Sequence, residues 1–268
     1  MNIYNAALLR CPVCGETMQV VANTIRCNRG HSFDIAKEGY VNLLRSNKNG
    51  DQIGDDKISA RCRRDFLNKG YYKPLREYLH KLFAECNGTV LDICCGEGYY
   101  TSGLAENPQL QVYGFDISRE MVRLAAKRGG STCFVANLAS IPVADASFDY
   151  AVHLFAPFQE VEFLRILKSG GRLYSVVPGS YHLFGLKQAV YDVPYENDEK
   201  LPNTTTLKLL SKMKISADIT LTSQADIDAV FRMTPYYFHT SAKDKEKLIC
   251  MDTLETKIEF VIGEYAKE

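Results

Sequence analysis

Tryptophan is absent from the 268 residues, and neither acid nor base is in excess, since 32 lysines and arginines balance 32 aspartates and glutamates. A chain without net charge does not hold nucleic acid through a uniformly basic surface, so any such contact must come from local clusters of cations. Apolar runs long enough to span a bilayer are missing. The N-terminus shows no charged-then-apolar leader, and Leu8-Leu9 is too short to be either. Internal repeats and low-complexity tracts are also lacking. Cysteine is not scarce, at nine residues, but the cysteines are scattered and adjacent Cys94-Cys95 makes a poor structural bridge. Unpaired thiols suit a reducing compartment, so a cytoplasmic location is expected. With 46% hydrophobic residues, the chain can bury one main core and carry a smaller lobe beside it.

That smaller lobe is written at the front. Cys11, Cys14, Cys27 and His31 give the pattern C-x2-C-x12-C-x3-H. A C-x2-C turn lets two thiolates share one ion, and the second pair closes a tetrahedron across a small hairpin. Gly15 and Gly30 suit such tight turns. The set is sulfur-rich and closed, with no open position for chemistry, which predicts a structural zinc site.

Residues 89 to 101, Thr-Val-Leu-Asp-Ile-Cys-Cys-Gly-Glu-Gly-Tyr-Tyr-Thr, read as a strand, a tight turn and a helix start. Asp116 ends a following strand, 24 residues after Asp92, about where an acid grips a ribose. Dinucleotide folds want G-x-G-x-x-G, and the third glycine is missing. A phosphate loop wants Gly-Lys-Ser/Thr, which is absent. The form D-x-small-small-G-x-G is that of S-adenosylmethionine (SAM) methyltransferases. An ordinary structural turn would explain the glycines alone, but further landmarks follow in order. Ser118 caps an amphipathic helix. Asn137 follows a β-rich run, where an adenine contact would sit. His153-Leu-Phe-Ala-Pro-Phe158 ends a fourth strand, and Gly170-Gly171 turns into the next. Together they predict an α/β fold, a seven-stranded Rossmann-like methyltransferase domain with a small N-terminal zinc lobe.

The zinc quartet, the run His31-Ser-Phe-Asp-Ile-Ala-Lys-Glu-Gly-Tyr-Val-Asn-Leu-Leu44, Gly70-Tyr-Tyr72-Lys-Pro-Leu75, the Gly96 to Thr101 turn, His182 and Met233-Thr-Pro235 together resemble one family over essentially the whole chain. These are the RlmA-type methyltransferases, which methylate N1 of a guanosine in bacterial 23S ribosomal RNA. The resemblance implies zinc on Cys11, Cys14, Cys27 and His31, and SAM contacts from Tyr72, Gly96, Glu97 and His182. The turn itself adds Asp92 and Gly98, and the following strand adds Asp116. It further implies a 23S rRNA hairpin as partner and a homodimer whose cleft accepts it, and one branch of the family is linked to macrolide resistance. Two departures stand out. Cys94 occupies a place where the family commonly has glycine, and the surroundings of Ala156-Pro157 differ.

The expected organisation is a zinc-binding RNA-recognition lobe at 1–35, a linker at 36–58, and the methyltransferase domain at 59–268 with an insertion at about 179–236. Ser46 to Asp56 reads as a polar loop. Asn203-Thr-Thr-Thr206 reads as the cap of a basic helix. Arg61, Arg63 and Arg64 are either a solvated helix face or an RNA contact, and Tyr71 and Tyr72 offer rings on which a base could stack. Guanine N1 carries a proton at neutral pH, so methylation needs a base or a group that stabilises charge on O6. No residue stands out for that role. Phe155, Pro157 and Phe158 are placed to wall the target base, with core packing as the plainer alternative. A small-metabolite methyltransferase using the insertion as a lid, and an RNA-binding relative weakened by Cys94, remain open.

Overall fold

The computed structural model describes residues 5–45 and 57–268; the polar loop read at 46–56 lies outside the described residues. Three short strands, β1 (Met18–Val21), β2 (Thr24–Cys27) and β3 (Ser32–Asp34), form an antiparallel ribbon in that spatial order. Strand β4 (Tyr40–Asn42) then leaves the ribbon and pairs in parallel with β7 (Thr132–Val135) of a larger sheet. Tyr40 and Val41 are buried there, and this burial makes a strand of residues that the sequence assigned to the linker.

The large sheet also contains β5 (Gly88–Ile93), β6 (Leu110–Asp116), β8 (Phe148–Leu154), β9 (Leu167–Pro178), β10 (Leu207–Leu221) and β11 (Leu254–Lys267). Its order is β10-β11-β9-β8-β5-β6-β7-β4. Eight strands rather than seven make up this sheet, because β4 docks on the β7 edge. Pairing is parallel from β4 through β9 and antiparallel from β9 through β11 to β10. The expected basic helix after Thr206 is instead β10. Its Ile-Ser-Ala-Asp-Ile-Thr run alternates apolar and polar residues with period two, which suits a strand against β11. Thr204 does cap a turn, its hydroxyl accepting from the N–H of Thr206 and Leu207, but the chain leaving that turn is extended.

Helices α1 (Lys57–Asn68) and α2 (Lys73–Leu82) precede β5 and close one face of the sheet through Phe66, Leu75, Leu79 and the adjoining Phe83. Helices α3 (Tyr99–Leu104), α4 (Arg119–Arg128) and α5 (Glu160–Ile166) follow β5, β6 and β8. Beyond β9 come α6 (Phe184–Val190), α7 (Gln224–Arg232) and two short turns of helix at Tyr236–His239 and Ala242–Glu246. Ser118 caps α4, as its place before an amphipathic run predicted, with Oγ accepting from Met121 N at 3.4 Å. The chain passes from β5 outward to β6 and β7, then returns to β8 on the other side of β5. This switch point opens a crevice at the carboxyl end of β5. Among the described residues no helix is long and apolar enough to cross a membrane.

Candidate active site and metal centre

The crevice is shaped by the turn between β5 and α3. Gly98 holds a positive φ of 82°, and a Cβ there would stand 2.8 Å from Cα and Cβ of Ala125, so only glycine lets α4 pack this closely. Cys94 also lies in the left-handed region, at φ 57°, where a side chain is strained. Burial, with the charges of Asp116 and Asp92, pushes its thiol up to about 12, so Cys94 is a neutral wall and not a nucleophile. Asp116 ties the two loops of the crevice together. One carboxylate oxygen accepts from Gly96 N at 3.1 Å and the other from Ser118 N at 2.9 Å.

A cavity of about 290 Å³ opens here, lined among others by Asp92, Cys94, Gly96, Glu97, Tyr100, Asp116, Phe155 and Pro157. Asp92 is buried; Oδ2 accepts from the Thr101 hydroxyl at 2.6 Å, while Oδ1 has no partner among the described residues. Burial pushes its carboxyl up to about 7, against the pull of Thr101 and with a further push from Asp116. Burial also raises the pKa of Glu97, although Arg128 lies 2.6 Å from its Oε2. Glu97 Oε1 and the Tyr100 hydroxyl are likewise buried without partners. Such orphaned groups are costly unless a ligand satisfies them. Two carboxyl groups and a hydroxyl around one cavity fit the amino-acid end of SAM, whose ammonium donates hydrogen bonds.

A second groove, of about 1320 Å³, lies between ribbon residues Arg10 to Pro12 and the loops after β4, β6 and β7. Ile117 lines both spaces, so they meet there. Asn137 belongs to this groove, exposed, with its Oδ1 taken by Ala139 N at 2.9 Å.

Tyr72, His182 and Phe158 stand apart from the cavity. Tyr72 and His182 are buried against each other and against Phe260, and neither lines it. Glu259 N donates to His182 Nδ1 at 3.1 Å, so the ring proton sits on Nε2 and points to the Tyr72 hydroxyl 3.1 Å away. Burial pulls His182 down to about 3, so the ring is neutral. Phe155, 45% exposed, does border the cavity, but it also touches Phe260, which places the Tyr72–His182 pair one ring behind the wall. Phe158 turns to the other face and packs on His153 and Phe163. The stacking role read for Tyr72 is corrected, and one ring face of Tyr71 is already taken. Tyr71 lies on Phe66 with its hydroxyl on Asp226 at 3.0 Å, and Tyr72 is core. Tyr100 was missed; its only signal was a second tyrosine directly after the glycine turn.

The four predicted metal ligands converge. Their donor atoms all lie within 4.8 Å of one another. Cys11 Sγ and Cys27 Sγ stand 3.5 and 3.4 Å from His31 Nδ1, and Cys14 Sγ is 3.7 Å from Cys27 Sγ. A tetrahedron with Zn–S bonds of about 2.3 Å has S···S edges of roughly 3.8 Å, so the quartet has the size zinc requires. Each of the two knuckles closes by a main-chain bond, Gly15 N to Cys11 O at 2.8 Å and Gly30 N to Cys27 O at 3.0 Å. The ribbon is fastened to the large domain by Arg10 N donating to Pro142 O at 2.8 Å and Ala144 N to Leu8 O at 2.9 Å.

Comparison with known proteins agrees with both sites. Residues 9–49 match the zinc-ribbon family described as RlmA, N-terminal, and residues 90–172 match a methyltransferase domain family. Fold and site define a SAM-dependent methyltransferase that carries a zinc ribbon. The chain is 30% identical to YxjB of Bacillus subtilis over 91% of each chain, a protein whose name assigns it provisionally as a 23S rRNA (guanine-N(1)-)-methyltransferase. It is 34% identical to the 23S rRNA (guanine(748)-N(1))-methyltransferase of Streptomyces fradiae, over 68% of this chain and 67% of that one. The chain belongs to this RlmA-type family of 23S rRNA (guanine-N1-)-methyltransferases. The solved YcgJ protein of Bacillus subtilis covers 72% of this chain at 17% identity with a TM-score of 0.46, too distant to bear on function.

Proposed function

We propose that this chain methylates N1 of a guanosine in a hairpin loop of 23S ribosomal RNA, acting in the cytoplasm and as a homodimer. The observation that carries this reading is the similarity to YxjB along 91% of both chains, which takes in ribbon and methyltransferase domain together. When bound, SAM supplies a methyl group made electrophilic by its sulfonium. In this reading Asp92, Glu97 and Tyr100 hold its charged end, Asp116 the ribose and Asn137 the adenine. Tyr72 and His182 act from behind the wall, keeping Phe260 and hence Phe155 in place. Phe155 and Pro157 then flank the target base. That base must leave its stack to expose N1, so a loop guanosine is favoured over a paired one. Cys11, Cys14, Cys27 and His31 hold a zinc ion that shapes the RNA-recognising ribbon.

Reverse-transcription stops on 23S rRNA from cells with and without the protein test the reaction, because N1-methylguanine blocks Watson–Crick pairing. One protein-dependent stop at a loop guanosine is expected. No difference, with SAM binding measured separately and intact, would transfer the activity to a small-molecule substrate.

Cofactor binding should also depend on pH. A carboxyl held at about 7 by burial keeps its proton at pH 6 and must release it to face a cation. SAM affinity should therefore rise about tenfold between about pH 6 and 8 and then level off. Stability without cofactor should change the other way. A raised folded pKa stabilises below the ordinary carboxylate range, and that contribution is lost as pH climbs through about 7. Calorimetry on the native chain and on Asp92→Asn measures this; an unchanged slope in the variant would remove Asp92 from the explanation.

A further inference from the structure

The geometry points to the outer edge of β10 as a self-pairing surface that joins two copies of this chain into one continuous sheet. This inference rests on the homodimer reading above and specifies its interface. β10 is the last strand of the sheet and pairs on one side only, with β11. Among the described residues, no main-chain hydrogen bond reaches its other side between Lys208 and Thr220. An edge this long is ordinarily guarded by proline, bulges or outward charge, because it offers a template for another strand. Here proline is absent from Leu207–Leu221 and the one irregularity lies near the start, between Leu209 and Ser211.

Several of the strand's charges already have partners within the chain. Lys212 and Lys214 are both drawn onto Glu199, at 2.9 and 2.7 Å, and Asp218 is held by Lys257 at 2.7 Å. Exposed apolar side chains remain along the strand, with Leu209 and Met213 each 48% exposed and Leu210 43% exposed.

The sequence of the strand says what fits this edge. A two-fold axis perpendicular to the sheet pairs antiparallel strands and keeps equivalent faces on the same side. Ser216 is the midpoint of the regular stretch from Ser211 to Leu221, so an axis through it pairs that stretch end to end. Lys214 of one copy then stands opposite Asp218 of the other, Met213 opposite Ile219, and Ile215 opposite Ala217. Ile215, Ala217 and Ile219 already lean on the core, so apolar meets apolar over the middle of that face, with Ser211 against Leu221 at the ends, and polar meets polar on the other. An axis at Lys212 or Lys214 would set a lysine against itself. Three strands, β11, β9 and β8, separate β10 from β5, so both cofactor cavities stay open in the pair.

Ser216→Cys tests the register in the full, zinc-loaded chain. Directly opposed residues of an antiparallel pair bring their Cβ atoms to about 4.5–5.5 Å, so mild oxidation should link most of this variant into a covalent dimer. Lys208→Cys, on the same strand but far from the axis, should behave like the wild type, whose native cysteines set the background. In sedimentation velocity, Asp218→Lys should weaken the dimer about tenfold by setting lysine against Lys214. The double variant Lys214→Asp, Asp218→Lys should recover it, although both exchanges oppose the contacts to Glu199 and Lys257 within one chain. A wild-type dimer with no link through position 216 would overturn this interface and leave the homodimer reading standing. A wild-type monomer at micromolar concentration would overturn both, while rRNA methylation is judged separately by the stops.

Discussion

Stripping the metal from the N-terminal quartet should abolish rRNA methylation, by more than about a hundredfold, while SAM affinity stays within about twofold. The ribbon has little core of its own; Leu9, Met18 and Ile25 are buried in a cluster shared with the large sheet. The ribbon's strands are three or four residues long, and Val20 and Val21 are exposed. Structural zinc contributes on the order of 10–16 kcal/mol in small domains of this kind, so without it the hairpin has too little core to stay folded. The cavity around Asp92 and Glu97 takes no residue from the ribbon, which borders only the groove at Asn137, so the two readouts should largely separate. Cys27→Ala should have the same effect, since its sulfur touches both His31 and Cys14. Zinc content by a chromogenic chelator, SAM binding by calorimetry and methyl transfer to an rRNA hairpin measure the three quantities. Full activity in metal-free protein would show that the ribbon needs no ion to do its work.

Asp116→Ala should lower SAM affinity by about ten- to a hundredfold and leave zinc content unchanged. The carboxylate joins the turn after β5 to the loop after β6 through Gly96 N and Ser118 N. A hydrogen bond to a charged group contributes about 1.5–3 kcal/mol, so losing the ribose contact alone spans that range of affinity. Asp116→Asn should fall between wild type and Asp116→Ala, because an amide keeps an acceptor for one of the two main-chain N–H groups and sets its NH2 against the other. Equal affinity in wild type and Asp116→Ala would place the ribose elsewhere. The charge of Asp116 also raises the pKa of Asp92, so its removal should lower the pH at which cofactor affinity levels off.

Legibility in the sequence tracked the distance over which each feature is built. Cys11, Cys14, Cys27 and His31 lie on two knuckles joined by one hairpin, so chain connectivity alone brings them within reach of one ion. The turn at Asp92 to Gly98 and the strand ending at Asp116 were readable for the same reason, since a strand, a tight turn and a helix start leave the loop little freedom. Period-two alternation in β10 was present but was outweighed by its lysines and its threonine-rich start. β4 was hidden because three residues make a strand only when another edge, here β7, is present to receive them.

The sequence by itself determined the metal quartet, the cofactor turn and the acid that braces it, because neighbours in the chain make each of these. Tertiary structure alone decided which buried polar atoms were left without partners at the cavity, and that Tyr100 is among them. It also drew Tyr72 and His182, 110 residues apart, into a pair behind Phe155, and left the far edge of β10 without a strand partner among the described residues. The reason is physical: desolvation and the satisfaction of hydrogen bonds depend on every element packed around a group, and no local spacing records them.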